Sequence, residues 1–338
     1  MKKKVSLSDV AKHLGVSTAL VSYVLNDKAE EKRVGRAIAE KIKIAANELN
    51  YRPNHIARSL KTNKTHTIGL VVADTKYHFT TGITNAIEAE AQKNNYTVIF
   101  GSSHEDHKKF DELISVFINR QVDGLILIAV ENSEQQIKYL IKSEIPFVLV
   151  DRSFPNINTN HILLNNYKAA YQCTDYLAKQ GYKRIGFINY KTSLFHLLER
   201  NRGYTEALKN NNLPSNPGWE RAIREKHVME DVADSIDGLT SMSAACDAIL
   251  FATDTLAING LKHINHLKLR VPEDMGVISF DEAEAFELFN CPITHARQPL
   301  EKIGQMAVSI LMDIMEQKNV DRQVYLESEM VIGKSCGE

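Results

Sequence analysis

The chain has 338 residues, of which 43% are hydrophobic and 25% charged, which suits two or three compact units and excludes a single small domain. Its formal net charge of -1 hides an asymmetry, because residues 1–65 hold 14 basic and 6 acidic side chains while the remainder holds 27 basic and 36 acidic ones. A basic front on an acidic remainder predicts that only the front meets a polyanion. We expect a cytoplasmic protein, since we find neither a signal-peptide pattern nor an apolar run of membrane-spanning length.

The cysteines and histidines give no sign of a disulfide framework or a metal site. The cysteines lie far apart, at positions 173, 246, 291 and 336, without a C-x-x-C pair, so we expect reduced, buried thiols. Histidines at 104 and 107 and at 263 and 266 are close enough to suggest a metal, but no zinc-type signature surrounds them. Solvated histidines are the simpler interpretation, and the sequence predicts no metal and no cofactor.

The first fifty residues predict short helices. Ser6 and Asp9 have the spacing of a capping box, and Gly15 ends the first helix. A second helix follows Ser17 after a short turn, and a third is predicted over 38–49. Two helices joined by a tight turn are typical of helix-turn-helix proteins, in which the start of the second helix reads base edges in the major groove. An ordinary three-helix bundle without DNA is the alternative that this pattern leaves open.

The start of the second helix carries side chains suited to DNA. Thr18 can hydrogen-bond to a base or a phosphate, and Ala19 can contact a thymine methyl group. Further residues are expected to contact base edges or phosphates, or to add positive charge near the DNA backbone. They are Ser6, Ser17, Ser22, Tyr23 and His55.

From residue 67 the pattern changes to apolar runs of strand length that alternate with helical segments. The runs cover 68–73, 97–101, 124–130, 147–150, 185–189, 248–252 and 277–280. Because runs that are buried on both faces and separated by helices are typical of parallel sheets, they predict an α/β fold. The alternation of strands and helices is interrupted near 162–164 and then resumes, which favours two similar lobes. The segment 294–299 is predicted to cross back between them.

Several segments near the start form a recognisable set, and they read VSLSDVA at 5–11, GVS at 15–17, LVSYVLN at 20–26, LNYRPN at 49–54 and ARSL at 57–60. In sequence and spacing they resemble the DNA-binding head of the lactose-repressor/galactose-repressor (LacI/GalR) family of bacterial transcriptional regulators. The resemblance extends over essentially the whole chain. It implies a homodimer in which each head reads one half of a near-palindromic, double-stranded operator.

The resemblance also implies a hinge between the head and the rest of the chain. In the family, the segment matching 54–60 becomes helical on operator DNA, and two such helices wedge a leucine, here Leu60, into the minor groove. Further residues implied to contact DNA are Asn26, Tyr51, Asn54, Ala57 and Arg58. Two positions depart from the family pattern, since Gly35 stands where serine is usual and Tyr23 where arginine is usual. No operator sequence can therefore be carried over.

The rest of the chain resembles the periplasmic sugar-binding-protein architecture that the family uses for its effector, with matching segments at 68–72, 122–127, 150–152, 200–204, 271–274, 279–281 and 297–299. The expected site is a cleft between the lobes, beyond the carboxyl ends of the strands. Asp281 would accept hydrogen bonds from ligand hydroxyls, and Arg200 would donate in bidentate fashion. The other implied effector-binding residues are Asp74, Tyr77, Phe79, Asp151, Arg152, Thr253 and Asp254.

These observations predict an all-α helix-turn-helix DNA-binding head over 1–53, a hinge helix and linker over 54–65, and an α/β two-lobed, periplasmic-binding-protein-like effector domain over 66–338. The first lobe is expected to cover about 66–162 and 294–320, and the second about 163–293 and 321–338.

The expected function is that of a transcriptional regulator, specifically a repressor of a sugar-metabolism operon that is controlled by a sugar bound between the lobes. Thr253 stands where the family usually has asparagine, so a purine or another metabolite remains the alternative effector. A sugar-binding protein without a regulatory role fits less well, because it would have no use for the head. An enzyme fits less well too, since no G-x-S-x-G, P-loop or Gly-rich dinucleotide turn occurs.

Overall fold

The structure is a computed structural model that describes residues 5–52, 64–241, 243, 245–318 and 321–337. The chain separates into two compact units, Met1–Thr65 and His66–Glu338, which we call the head and the body. None of the helices within the described ranges has both the length and the apolar character that a membrane crossing requires.

The head consists of helices α1 (Leu7–Leu14), α2 (Thr18–Leu25) and α3 (Arg36–Glu48). The predicted capping box is confirmed, because Ser6 Oγ accepts a hydrogen bond from the Asp9 backbone N–H (3.3 Å) while the Asp9 carboxylate accepts one from the Ser6 backbone N–H (2.9 Å). Gly15 ends α1 in the left-handed region, at φ 65°. The third helix begins two residues earlier than predicted, after Gly35, which provides no side-chain cap.

The apolar sides of these helices meet in a small core. Helix α2 is capped by Ser17, whose Oγ accepts a hydrogen bond from the Leu20 N–H (3.2 Å), as the sequence predicts. The buried residues of the head core are Val10, Ala11, Val21, Val24, Ile42, Ala45 and Ala46. A helix-turn-helix pair supported by a third helix is thereby built around one apolar cluster.

The body alternates strands and helices along the chain. Its strands are β1 (Thr67–Val72), β2 (Thr97–Ser102), β3 (Gly124–Leu127), β4 (Phe147–Val150), β5 (His161–Leu164), β6 (Ile185–Tyr190), β7 (Glu220–Ile223), β8 (Ala248–Phe251), β9 (Gly276–Phe280), β10 (Thr294–Arg297), β11 (Gln323–Leu326) and β12 (Glu329–Val331). Its helices are α4 (His78–Lys93), α5 (His107–Asn119), α6 (Glu134–Lys142), α7 (Asn166–Lys179), α8 (Phe195–Asn210), α9 (Val228–Ser241), α10 (Asp254–His266) and α11 (Leu300–Met315).

The strands form two sheets, each the centre of one lobe. The first sheet has the order β11-β5-β4-β3-β1-β2 and all its neighbouring strands are parallel. The second has the order β12-β10-β9-β8-β6-β7, and its pairs are parallel except for β12 against β10. The inner strands are buried on both faces, which is why they read as continuous apolar runs. The predicted fold class is confirmed.

The lobe boundaries differ from the sequence-based expectation at two places. The segment 294–299 was expected to cross between lobes, but its first four residues form β10 within the second sheet, and the crossing follows at 298–299. Strand β11, expected in the second lobe, pairs with β5 in the first sheet. The chain thus passes between the sheets near 165, at 298–299 and near 327–328. These boundaries could not be predicted because the sequence of a short strand does not indicate which of two similar sheets the strand joins.

Candidate functional site

The exposed side of α2 carries small and polar side chains. Thr18 and Ala19 are exposed in its first turn, and Tyr23, one turn later, is 37% exposed. Val21 and Val24 on the same helix are buried in the head core. The helix is therefore held through its apolar side and leaves the predicted reading side accessible to a duplex.

The other predicted DNA-binding residues that the structure describes make contacts within the head. Ser6 and Ser17 are exposed, and both hydroxyls cap helices. Asn26 donates from its side-chain amide to the carbonyl oxygen of Ser22 (2.7 Å). Tyr51 is half-buried against the head core, and burial raises the pKa of its phenol. The candidates Asn54, His55, Ala57, Arg58 and Leu60 lie outside the described residues.

A cleft open to solvent lies where strands of both sheets reach their carboxyl ends. Eight of the nine predicted effector-binding residues line it, and they are Tyr77, Phe79, Asp151, Arg152, Arg200, Thr253, Asp254 and Asp281. Asp74 does not. Its buried carboxylate accepts a hydrogen bond from the Lys76 backbone N–H (3.1 Å) and pairs with Lys76 Nζ (3.1 Å), so it organises the loop between β1 and α4.

Arg200, on helix α8, is the most deeply set charge of the cleft. It is 2% exposed, and its Nε donates to Asn166 Oδ1 (2.8 Å) while its Nη1 donates to the carbonyl oxygen of Ala252 (2.5 Å). The same Nη1 lies 3.7 Å from Asp281 Oδ2, and the guanidinium carbon lies 3.8 Å from the centre of the Phe280 ring. These contacts fix the guanidinium in one orientation before any ligand arrives.

Asp281 and its neighbours leave hydrogen-bonding capacity unused. Gln298 Nε2 donates to Asp281 Oδ1 (2.7 Å), but Gln298 Oε1 is buried without a partner within the described residues. The same holds for Nδ1 of the buried His196, whose pKa burial and the nearby Arg152 and Arg200 hold well below its usual value. Buried polar atoms are normally hydrogen-bonded, so these two leave unused hydrogen-bonding capacity in residues that line the cleft.

The first-lobe wall contains a closed ion pair. Arg152 Nη1 and Nη2 donate to the two carboxylate oxygens of Glu105, both at 2.8 Å. Arg152 Nε lies 3.5 Å from a carboxylate oxygen of the buried Asp151. Burial raises the pKa of Asp151 to about 6, although Arg152 and Arg200 act in the opposite direction.

The second-lobe wall contains Thr253 and Asp254 at the start of α10. The Thr253 hydroxyl, expected to serve the ligand, accepts a hydrogen bond from the Leu256 N–H (3.3 Å) and so caps the helix. Asp254 is 3% exposed, and its Oδ1 accepts hydrogen bonds from the Thr255 N–H (2.6 Å) and hydroxyl (3.3 Å). Burial, together with the charge of Asp281, raises the pKa of Asp254 to about 6.

Contacts at Glu131 and at Glu225 join the lobes across the cleft, and those at Glu225 include an ion pair with Lys76 Nζ (3.6 Å). Glu131, which follows β3, accepts hydrogen bonds from the Thr192 hydroxyl and from the backbone (2.5 Å) and hydroxyl (3.1 Å) of Ser193, which follow β6. Burial opposes the ionisation of Glu131, but these hydrogen bonds lower its pKa. Tyr77 Oη donates to Glu225 Oε1 (3.2 Å).

Several lining residues are absent from the sequence-based set, among them Glu105, Glu131, His196 and Gln298. Glu105 and Glu131 come soon after predicted strands, so the rule that sites lie beyond strand carboxyl ends would have found them. Nothing in the sequence marks His196, which a helix places at the cleft. Within the described ranges, no cluster of histidine, cysteine, aspartate and glutamate is arranged to hold a metal ion.

Comparisons with known proteins agree with both units. Residues 6–54 match the family described as bacterial regulatory proteins, lacI family, and residues 174–336 match the periplasmic binding protein-like domain. The HTH-type transcriptional repressor PurR of Aliivibrio salmonicida (strain LFI1238) is 30% identical over 332 residues, which cover 98% of each chain. The ribose operon repressor of Haemophilus influenzae (strain ATCC 51907 / DSM 11121 / KW20 / Rd) is 31% identical over 334 residues, with the same coverage.

A solved structure has the same fold over nearly the whole chain. The crystal structure of the lac repressor dimer bound to operator and the anti-inducer ONPF superposes with a TM-score of 0.87 at 22% identity, covering 99% of this chain and 100% of that one. The family resemblance is confirmed, and the relatives are transcriptional repressors rather than enzymes. The chain belongs to the lacI family of bacterial regulatory proteins, and it is a DNA-binding transcriptional regulator.

Proposed function

We propose that this regulator is a cytoplasmic repressor that binds a near-palindromic operator as a homodimer and that a sugar bound in the cleft controls its affinity for DNA. Its likeness to proteins named as repressors, one of them a ribose operon repressor, supports repression and a sugar effector. The DNA partner of a bacterial regulator lies in the cytoplasm, which is the basis for that part of the proposal.

In this proposal α2 enters the major groove. Thr18 and Ala19 contact base edges from its first turn, and Tyr23 contacts a base or the sugar-phosphate backbone. Their exposure above a buried apolar side supports this role. Leu60, outside the described residues, is proposed as the minor-groove wedge that kinks the centre of the operator.

The observation that carries the effector proposal is the network around Arg200. A fixed guanidinium stands beside the Asp281 carboxylate, and Gln298 and His196, which line the same cleft, each hold a buried polar atom without a partner among the described residues. Donors and acceptors held close together suit vicinal hydroxyls, which both donate and accept. Phe79 adds an apolar surface on which the carbon face of a sugar ring can pack.

Control of DNA binding follows from the position of the cleft. A ligand that contacts both walls favours the arrangement in which the lobes are close, and the contacts of Glu131 with Thr192 and Ser193 favour the same arrangement. The three chain passages between the sheets are the places at which the lobes can pivot. DNA affinity changes if the two lobe arrangements place the heads of a dimer differently.

Two measurements on the full-length protein test the proposal. Thermal-shift screening with ribose, glucose, galactose, cellobiose, adenine and hypoxanthine should show stabilisation by a sugar and none by a purine. Fluorescence anisotropy against promoter fragments and random duplex, with and without that sugar, should show a sequence preference that the sugar alters. A purine that stabilises the protein would overturn the sugar assignment, and equal binding to all duplexes would overturn the regulatory one.

Replacement of the proposed wedge tests the operator part. Leu60→Ala should weaken binding to the preferred promoter fragment far more than binding to random duplex, because the wedge acts at one base step. Equal weakening on both would contradict the wedge. Non-specific affinity, which comes mainly from phosphate contacts, serves as the internal control.

A further inference from the structure

The charges that line the cleft are out of balance. Among the described lining residues, carboxylates outnumber cations by six to three. The carboxylates belong to Glu105, Glu131, Asp151, Glu225, Asp254 and Asp281, and the cations to Arg152, Lys191 and Arg200. His196 adds no charge near neutral pH, because burial and two arginines hold its pKa well below its usual value. The lining carries a formal excess of three negative charges.

The two buried cations are already bound. Both terminal nitrogens of Arg152 are held by Glu105, each at 2.8 Å. Arg200 donates to Asn166 and to a backbone carbonyl oxygen and has Asp281 beside it. Lys191 is exposed. An anionic group that entered the cleft would therefore have to compete with carboxylates already in place for either guanidinium.

Asp254 is a buried lining carboxylate that is hydrogen-bonded through only one of its two oxygens. Its Oδ1 takes both hydrogen bonds from Thr255, and in the described part of the chain no donor reaches Oδ2 and no salt bridge joins Asp254 to a cation. The residue is 3% exposed and lines the cleft. A buried carboxylate without a cation is costly to the fold unless something donates to it. The free oxygen is thus a vacant acceptor at the cleft surface.

We infer that the cleft selects a ligand that has no negative charge and that donates a hydrogen bond to Asp254, from a hydroxyl or an ammonium group. Sugar phosphates and nucleotides are excluded, because they would bring a further negative charge to a lining that already holds an excess of three. This inference rests on the proposal that the cleft binds a small-molecule effector. It adds the charge of that effector and names Asp254 as the residue that accepts its hydrogen bond.

Matched ligands on the full-length wild-type protein provide the first test. The thermal-shift panel compares glucose with glucose 6-phosphate, ribose with ribose 5-phosphate, and galactose with galactosamine. A stabilising sugar should lose at least tenfold in affinity when it carries a phosphate, as checked by calorimetry. Galactosamine binding more tightly than galactose identifies ammonium as the donor, and the reverse identifies hydroxyl. A phosphorylated sugar or a nucleotide that binds as well as its neutral counterpart would overturn the inference and leave the effector proposal standing.

A variant pair tests the residue. Asp254→Asn keeps the Oδ1 acceptor for Thr255 and turns the free oxygen into a donor, so the stabilising sugar should bind at least tenfold more weakly. Asp234→Asn removes the same charge from an exposed position on α9 outside the cleft and should bind like the wild type. Unchanged affinity in Asp254→Asn would overturn the inference. If no member of the panel binds the wild type, the effector proposal itself fails and the inference fails with it.

Discussion

The two walls of the cleft balance their charges differently. In the first lobe, Arg152 and Glu105 neutralise each other through two parallel hydrogen bonds. In the second lobe, Arg200 is shared among several acceptors, and no salt bridge joins Asp254 to a cation in the described part of the chain. The charged groups Arg152, Glu105 and Asp151 of the first wall are thus paired with one another, whereas Asp254 in the second wall has no salt-bridge partner among the described residues.

This difference separates structural from ligand-binding roles among residues of similar type. A closed ion pair offers little to a ligand, because binding would first have to break good hydrogen bonds. Unpaired polar groups in a wall lower the stability of the ligand-free protein, but they form new hydrogen bonds when a ligand binds. This is the usual conflict between stability and function at binding sites. The following substitutions test this contrast through the free energy of unfolding and the affinity for the sugar.

The largest effect is expected from Arg200→Met. The change leaves Asn166 without its buried donor and Asp281 without its ion-pair partner, and breaking a buried ion pair costs about 3–5 kcal/mol of unfolding free energy. Urea unfolding measures the loss, and calorimetry should show no sugar binding. Arg202→Met on the same helix is the control, because Arg202 is 59% exposed and pairs with Glu199 at the surface, where such pairs contribute at most about 1 kcal/mol. Equal losses in the two variants would contradict the central position given to Arg200.

Asp254→Asn should stabilise the ligand-free protein. The pKa of Asp254 is about 6 in the folded state against an ordinary value of 3.8, so the folded state binds the proton more tightly than the unfolded chain does. Stability therefore falls as pH rises from about 4 to 6 and stays reduced above, by about 3 kcal/mol for a shift of this size. The variant should exceed the wild type at pH 7.5, lose about half of that advantage at pH 5 and lose most of it at about pH 4.

The pH dependence has other contributors near the same cleft. Asp151, whose pKa is also raised to about 6, gives the variant a residual fall in stability over the same pH range. The measurement is accordingly the difference between variant and wild type at each pH, from urea unfolding. A variant less stable than the wild type at pH 7.5 would show that the Asp254 carboxylate is satisfied in the free protein.

Glu131→Ala removes the acceptor that joins the lobes. Thr192 and Ser193 lose a charged partner, and hydrogen bonds to charged groups contribute about 1.5–3 kcal/mol each, less for a site that water can reach. Sugar affinity should fall about tenfold, since the close arrangement of the lobes loses support. Glu112→Ala, at an exposed position on α5, is the control and should bind normally. An unchanged affinity in Glu131→Ala would mean that this contact does not influence ligand binding.

The sequence predicted the parts of the molecule that follow from local rules. The cap at Ser6, the glycine stop at Gly15 and the buried strands are written in short-range patterns, and the family resemblance placed Arg200 and Asp281 at the cleft. The parts that depend on pairing over long distances were not predicted. The Glu105–Arg152 pair spans 47 positions, and the contact of Thr192 with Glu131 spans 61.

Thr253 and Asp74 illustrate the same limit from the other side. Both stand after strands, where ligand-binding side chains are expected, yet Thr253 caps a helix and Asp74 binds the following loop. A short polar side chain at a strand end suits a cap as well as a ligand, and only the geometry of the next turn decides between them. Position along the chain identified the edge of the sheet but not whether a side chain there caps a helix, holds a loop or remains available to a ligand.

The smallest effect is expected from Tyr77→Phe, which removes one hydroxyl at the other contact between the lobes. Tyr77 donates to Glu225 Oε1 (3.2 Å) at a site that water reaches, so the bond should contribute about 0.5–1 kcal/mol. Sugar affinity should fall about two- to fivefold with no measurable change in urea unfolding, and Tyr139→Phe, which alters a 53% exposed tyrosine, should leave it unchanged. If Tyr77→Phe lowered the affinity for the sugar more than Glu131→Ala does, the Tyr77 hydroxyl would contact the ligand directly. The first wall would then take part in ligand binding, which would contradict the contrast drawn between the two walls.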